Sequence, residues 1–140
     1  MIFESEALDL YERTHQRGWW YRAAALLRRR PTNLLDLARI IAGSTISARR
    51  SLGAQTVPIR QIRGSEGRRV DFDMAFHPIQ NHTRSRWMGI AVVWLQNANL
   101  PPVDLIRLGD IYFVRDGHHR ISVARTLGRH FVDAEVTVTG

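Results

Sequence analysis

The run Asp116-Gly117-His118-His119-Arg120 sets a carboxylate, two imidazoles and a guanidinium within five consecutive residues. Tyr112-Phe113-Val114-Arg115 before it reads as a strand, and Ile121-Ser122-Val123-Ala124-Arg125 after it reads as a helix. A strand that turns straight into a helix presents the free N–H groups of the first helical turn, where the helix dipole is positive. Gly117 lets the backbone turn tightly and meet a ligand with no Cβ in the way. Cations in a first turn are unfavourable for an isolated helix, and a bound phosphate would reverse that. The chemistry expected is oxyanion binding by Gly117, His118, His119 and Arg120; the plainer alternative is a solvated first turn with Asp116 as its N-cap. Neighbouring histidines on a helix point about 100° apart, so His118 and His119 are not expected to share a metal ion.

Composition narrows the alternatives. The chain has 140 residues, room for one domain with a helical extension, and its 44% apolar content is that of a globular protein. Its 20 basic residues are all arginine, against 13 acidic residues, for a net charge of +7. Without lysine there is no Schiff-base chemistry and no P-loop lysine. Without cysteine there is no disulfide, no thiolate nucleophile and no cysteine-based metal site, and the redox compartment is not legible. Arginine binds phosphate bidentately and stays charged, so the charge excess points to an anionic partner. The start of the chain, Met1-Ile2-Phe3-Glu4-Ser5-Glu6, is acidic where a signal peptide is positive. No apolar run approaches the ~18 residues of a membrane-spanning helix, so a cytoplasmic protein with no membrane partner is expected.

The elements that must position the run follow from periodicity. Leu8, Tyr11, His15, Trp19, Ala23 and Leu26 predict one long amphipathic helix, closed by Arg28-Arg29-Arg30 and Pro31. Asn33 is the expected N-cap of a second helix, with Asp36 in its first turn, and Gly43 its end. Residues 44–55 read as a linker. Val57 to Ile62 is a short strand in which Pro58 implies an edge or a strand start. Residues 63–82 show no period. Trp87, Ile90, Ala91, Trp94, Leu95 and Ala98 predict a helix, both tryptophans facing the core, ended by Pro101-Pro102. Val103–Leu108 and Ile111–Arg115 form a hairpin through Gly109-Asp110, a helix runs from His118 to Leu127, and Val132, Ala134, Val136 and Val138 alternate along a last strand. The expected architecture is α+β, with residues 1–55 a helical extension and residues 56–140 a β-α-β-β-α-β domain.

Asp116-Gly117-His118-His119-Arg120, with Ala124 and Gly128 ahead of a Val-rich strand, resembles the ParB/sulfiredoxin superfamily over about residues 56–138. Partition proteins have Gly-Glu-Arg-Arg at this turn, sulfiredoxins Gly-Cys-His-Arg, and ADP-dependent serine kinases Asp-Gly-His-Thr-Arg, which is closest to this chain. The resemblance implies a ParB/sulfiredoxin-like fold and a nucleotide ligand (ATP, ADP or CTP), with Mg2+ carried on its phosphates. Gly117 and Arg120 match all three groups, His119 matches the phosphate-binding histidine of sulfiredoxin, and His118 replaces its reactive cysteine, which excludes sulfinic-acid reduction. The resemblance also places a second phosphate clamp at Arg68 or Arg69, and Glu66 near the kinases' catalytic acid. Asp116, Glu66 and His118 are thus the candidate catalytic residues of a phosphotransferase or nucleotide hydrolase.

The alternative is a nucleic-acid-binding regulatory protein of the partition type without catalysis. The sequence ends at Gly140, after the last strand, so the helix-turn-helix module of partition proteins is not expected, and contacts would fall to Arg28–Arg30 and Arg49-Arg50. Trp19-Trp20-Tyr21 is hard to hide on one helix face, so one ring is expected on the domain and another in a homo-oligomer contact.

Overall fold

A computed structural model describes residues 2–42, 48–67, 69–96 and 98–139. Its elements are α1 (Ile2–Leu27), β1 (Leu35–Asp36), α2 (Leu37–Ile41), β2 (Arg49–Pro58), β3 (Ile62–Ser65), α3 (Arg84–Leu95), β4 (Val103–Leu108), β5 (Ile111–Asp116), α4 (His118–Thr126) and β6 (Phe131–Thr139). From β3 onward the order is β-α-β-β-α-β, and the class is α+β, as expected.

The strands form one mixed sheet in the order β1-β3-β5-β4-β6-β2, with β1–β3, β3–β5 and β4–β6 parallel and the other pairs antiparallel. Only a 3₁₀ turn, Ile59–Gln61, links β2 to β3, although four strand spacings separate them in the sheet. Four residues of chain reach at most about 14 Å, whereas four spacings of a flat sheet cover about 19 Å. The sheet therefore curls until its flanks approach each other.

The concave face holds the main core. Val103 and Leu105 of β4, Tyr112 and Val114 of β5, and Val132, Ala134 and Val136 of β6 meet Trp87 and Ala91 of α3 and Ile121, Val123 and Ala124 of α4. On the other face Phe113 and Ile106 pack on Leu37 of α2. The β4–β5 hairpin turns on Gly109-Asp110 as expected; positive φ is confined to Gly109 (62°), the geometry of a type II′ turn. Trp87 is fully buried and donates its indole N–H to Ser122 Oγ at 2.8 Å, whereas Trp94 is only partly buried. Helix α3 ends at Leu95, before Pro101, and Ala98 lies outside it, exposed.

Four expectations need correction. Residues 49–55 are not linker: they belong to β2, which pairs along its whole length with β6; Pro58 does lie on an edge strand, at its end, and the turn Ile59–Gln61 splits the expected strand Val57 to Ile62. The boundary at 55/56 thus falls inside a strand. The second helix starts behind Asp36, not Asn33; Asp36 caps Ala38 N at 3.1 Å, while Asn33 makes a β-bridge with Asp73. Gly43 lies outside the described residues. In α1 the buried stripe is Ala7, Tyr11, Thr14 and Gly18, rotated from the apolar stripe the spacing predicts. Leu26, Trp19 and Trp20 stay exposed, the two indoles edge to face at 4.9 Å, and Tyr21 meets His77 at 5.3 Å. Small residues win because α1 lies close against the rest: a Cβ on Gly18 would stand 2.6 Å from His77 Cβ. Segment 69–80, in the stretch without a period, packs over the core. Phe72 and Phe76 are buried, and the Asp73 carboxylate accepts from the N–H of Ala75 and of His77 at 3.0 Å and from Arg22 of α1 at 3.1 Å.

Candidate functional site

Asp116 is the last residue of β5 and Gly117 the first residue beyond it, with φ 112°. A Cβ there would lie 2.6 Å from Val103 Cγ1. Both the left-handed backbone and the close approach to β4 therefore require glycine. Gly117, and not Asp116, occupies the N-cap position, and no side chain caps the helix. The first intrahelical bond runs from Ile121 N to Gly117 O at 3.0 Å, so the N–H groups of the opening turn remain available to a ligand.

A cleft of about 80 Å3 sits against this turn, lined by Asp116, Gly117, His118, His119 and Arg120, by Arg69 from the cover segment and by Arg86 and Ile90 from α3. Arg86 was not singled out in the sequence; it stands one residue before core Trp87, on a helix about thirty residues earlier in the chain than the motif. The spacing of α3 could have shown it as a polar-face residue, but not that this face meets α4.

The two histidines differ. His118 is turned inward, 5% exposed, with Nε2 2.9 Å from Ser65 Oγ. The Ser65 hydroxyl also lies 3.3 Å from the Val114 carbonyl. One hydroxyl proton serves one acceptor, so when Ser65 donates to Val114, a neutral His118 donates from Nε2 to Ser65. Burial, then the Arg69 guanidinium, then His119 push the His118 pKa down to about 4. His119 is pushed down as well, first by burial and next by Arg86. Its Nε2 is buried without a hydrogen-bond partner, and its ring meets Phe72 edge-on at 5.1 Å. Both imidazoles are therefore neutral at pH 7, and the positive charge of the cleft comes from Arg69, Arg86 and Arg120. Phe72 also stacks on His118 at 6.5 Å, which fixes both rings.

Arg120 is held in place. It donates from one terminal nitrogen to the carbonyls of Pro101 and Pro102 at 2.7 and 2.8 Å, and from the other to Asp116 at 2.9 Å. That leaves two of its five N–H groups for a ligand. Arg69 pairs loosely with Asp71 at 3.8 Å. Arg68 lies outside the described residues. Glu66 is not brought to the cleft: its carboxylate meets Arg49 at 3.1 Å and Arg115 at 3.6 Å. Among the described residues no three His, Asp or Glu side chains cluster as a metal site, and no helix is long and apolar enough to cross a membrane.

No protein family model matches the sequence, and no curated protein matches it. Among solved structures, sulfiredoxin from Arabidopsis thaliana is similar, with a TM-score of 0.39 and 17% identity over 59% of this chain and 82% of that one. At that TM-score the likeness assigns neither activity nor ligand to this chain.

Proposed function

We propose that this chain is a ParB/sulfiredoxin-like domain that binds the phosphates of a nucleotide, ATP, ADP or CTP, at the opening of α4. The observation that carries this reading is the cleft's donor set. An uncapped helix start, a buried imidazole nitrogen lacking a partner, and three guanidinium groups converge on one small concavity. A volume of about 80 Å3 suits phosphoryl groups and leaves the nucleoside outside. Among the residues that line the cleft the one acid is Asp116, whose carboxylate is 74% exposed; Asp71 stands behind Arg69. One carboxylate beside several phosphate oxygens is a fitting donor set for Mg2+, which neutralises phosphate charge when bound. In a phosphotransferase or hydrolase, Asp116 would also accept the proton of an attacking hydroxyl or water. His118, tied to Ser65, positions the turn.

Calorimetric titration with ATP, ADP and CTP, with and without Mg2+, tests the reading. Binding is expected, weakened roughly tenfold or more by Arg86→Ala. An anion beside His119 raises that imidazole's pKa, so affinity is expected to rise as pH falls from 8 toward 6. No binding by any of the three nucleotides to a folded protein would overturn the proposal.

A further inference from the structure

Beyond the phosphate cleft, two larger clefts are joined through shared walls. One, of about 360 Å3, has Arg120 in its lining together with Trp94, Asn99, Arg129 and Phe131. The other, of about 460 Å3, has Arg129 and Phe131 in its lining too, with Arg60, Arg125 and His130 around a floor of Pro58 and Ile59. Arg129 and Phe131 are thus the wall between them, and Arg120 is the wall toward the opening of α4. Each of the two is large enough for a small organic ligand.

Their chemistry is consistent along the groove. Among the described residues, Arg60, Arg125 and Arg129 have no carboxylate within ion-pair distance, and Asp133 is the single acid in either lining. Phe131, at the shared wall, is 57% exposed. Arg129 lies over the Trp94 ring, 5.1 Å from its centroid. Guanidinium groups without a carboxylate partner thus share these linings with an exposed phenyl ring and apolar surface. That combination suits a ligand in which phosphates alternate with flat rings.

We propose that this groove is a binding track for single-stranded nucleic acid, with Arg60, Arg125 and Arg129 on the phosphates and a base stacked on Phe131. A duplex is a poor fit, because its bases are already stacked and paired and cannot enter a concave site. Arg28, Arg29 and Arg30, at the end of α1, line neither cleft. It is also independent of the nucleotide reading, since neither Arg60 nor Phe131 lines the phosphate cleft.

Fluorescence anisotropy at about 50 mM salt tests this with three probes: a labelled twelve-residue oligothymidylate, a duplex of equal length, and heparin as competitor. The single strand is expected to bind more tightly than the duplex. Phe131→Ala and Arg60→Ala, both at exposed positions, are each expected to weaken it roughly tenfold. Replacing Arg28, Arg29 and Arg30 together by Ala is expected to change it less than about twofold. Three results would overturn the proposal: no binding of the single strand; binding that is equal for the duplex and indifferent to Phe131→Ala, which is charge attraction alone; or loss of binding only in the Arg28–Arg30 variant. Failure of ATP to bind leaves the track standing, and failure of the oligonucleotide leaves the phosphate cleft standing.

Discussion

Helix α2 starts behind Asp36, whose carboxylate accepts from Ala38 N at 3.1 Å. Helix α4 starts behind Gly117, with no side-chain cap, and carries His118, His119 and Arg120 where an acid would be stabilising. The first start is closed by a short-range bond and the second is left open. The difference shows where the chain has given up local stability. At α2 the Ala38 amide meets the Asp36 carboxylate within its own segment, and the Glu66 carbonyl beyond β3 at 3.3 Å. At α4 they face a cleft, and the compensation comes from elsewhere: from the Arg120 bonds to Pro101, Pro102 and Asp116, and from the buried Ser65–His118 contact.

That contrast can be broken at four points. Gly117→Ala forces a left-handed residue and a clash with Val103, and should destabilise the protein by about 2–4 kcal/mol in urea unfolding. Acid acts on the same turn. Because the folded state lowers the His118 pKa from 6.5 to about 4, the unfolded chain takes up the proton first, and stability falls as pH drops through that window. A loss of up to about 3 kcal/mol by pH 4 is expected in urea midpoints, and His118→Gln should flatten that dependence. At the closed start, Asp36→Ala should cost about 1 kcal/mol and leave nucleotide affinity unchanged, which calorimetry would check. Smallest is Asp116→Asn: the pair with Arg120 is exposed on the carboxylate side, so the shift in melting should stay under about 0.5 kcal/mol. A large loss there would mean that Asp116, rather than the proline carbonyls, holds Arg120.

The turn that opens α4 was legible in the sequence, because a strand, a glycine and a short run of polar residues are all local signals; that Asp116 would leave it uncapped was not. The members of the cleft that arrive from other segments were not. Arg86 comes from a different helix, and Ser65 reaches His118 across the β3–β5 pairing. The charge state of the histidines was also out of reach, since burial and the neighbouring guanidinium groups set it. Glu66 directly follows β3, yet its side chain is drawn to Arg49 and Arg115. A linear alignment places a Cα and says nothing of which cation a carboxylate meets.

From the sequence alone came α3, the β4–β5 hairpin, α4 and β6, and with them the α+β class and the strand–glycine–helix turn at Gly117. Hydrophobic period, turn glycines and prolines act within a few residues, so they need no partner to be read. The tertiary structure decided the rest. It made β2 out of a polar stretch that is a strand only because β6 supplies its hydrogen bonds. It buried Ala7, Thr14 and Gly18 of α1 in place of Leu26 and Trp19. It curled the sheet and folded segment 69–80 over the core. In each case the outcome depends on which surfaces come close enough to exclude water, a property of distant segments together and of no single stretch of chain.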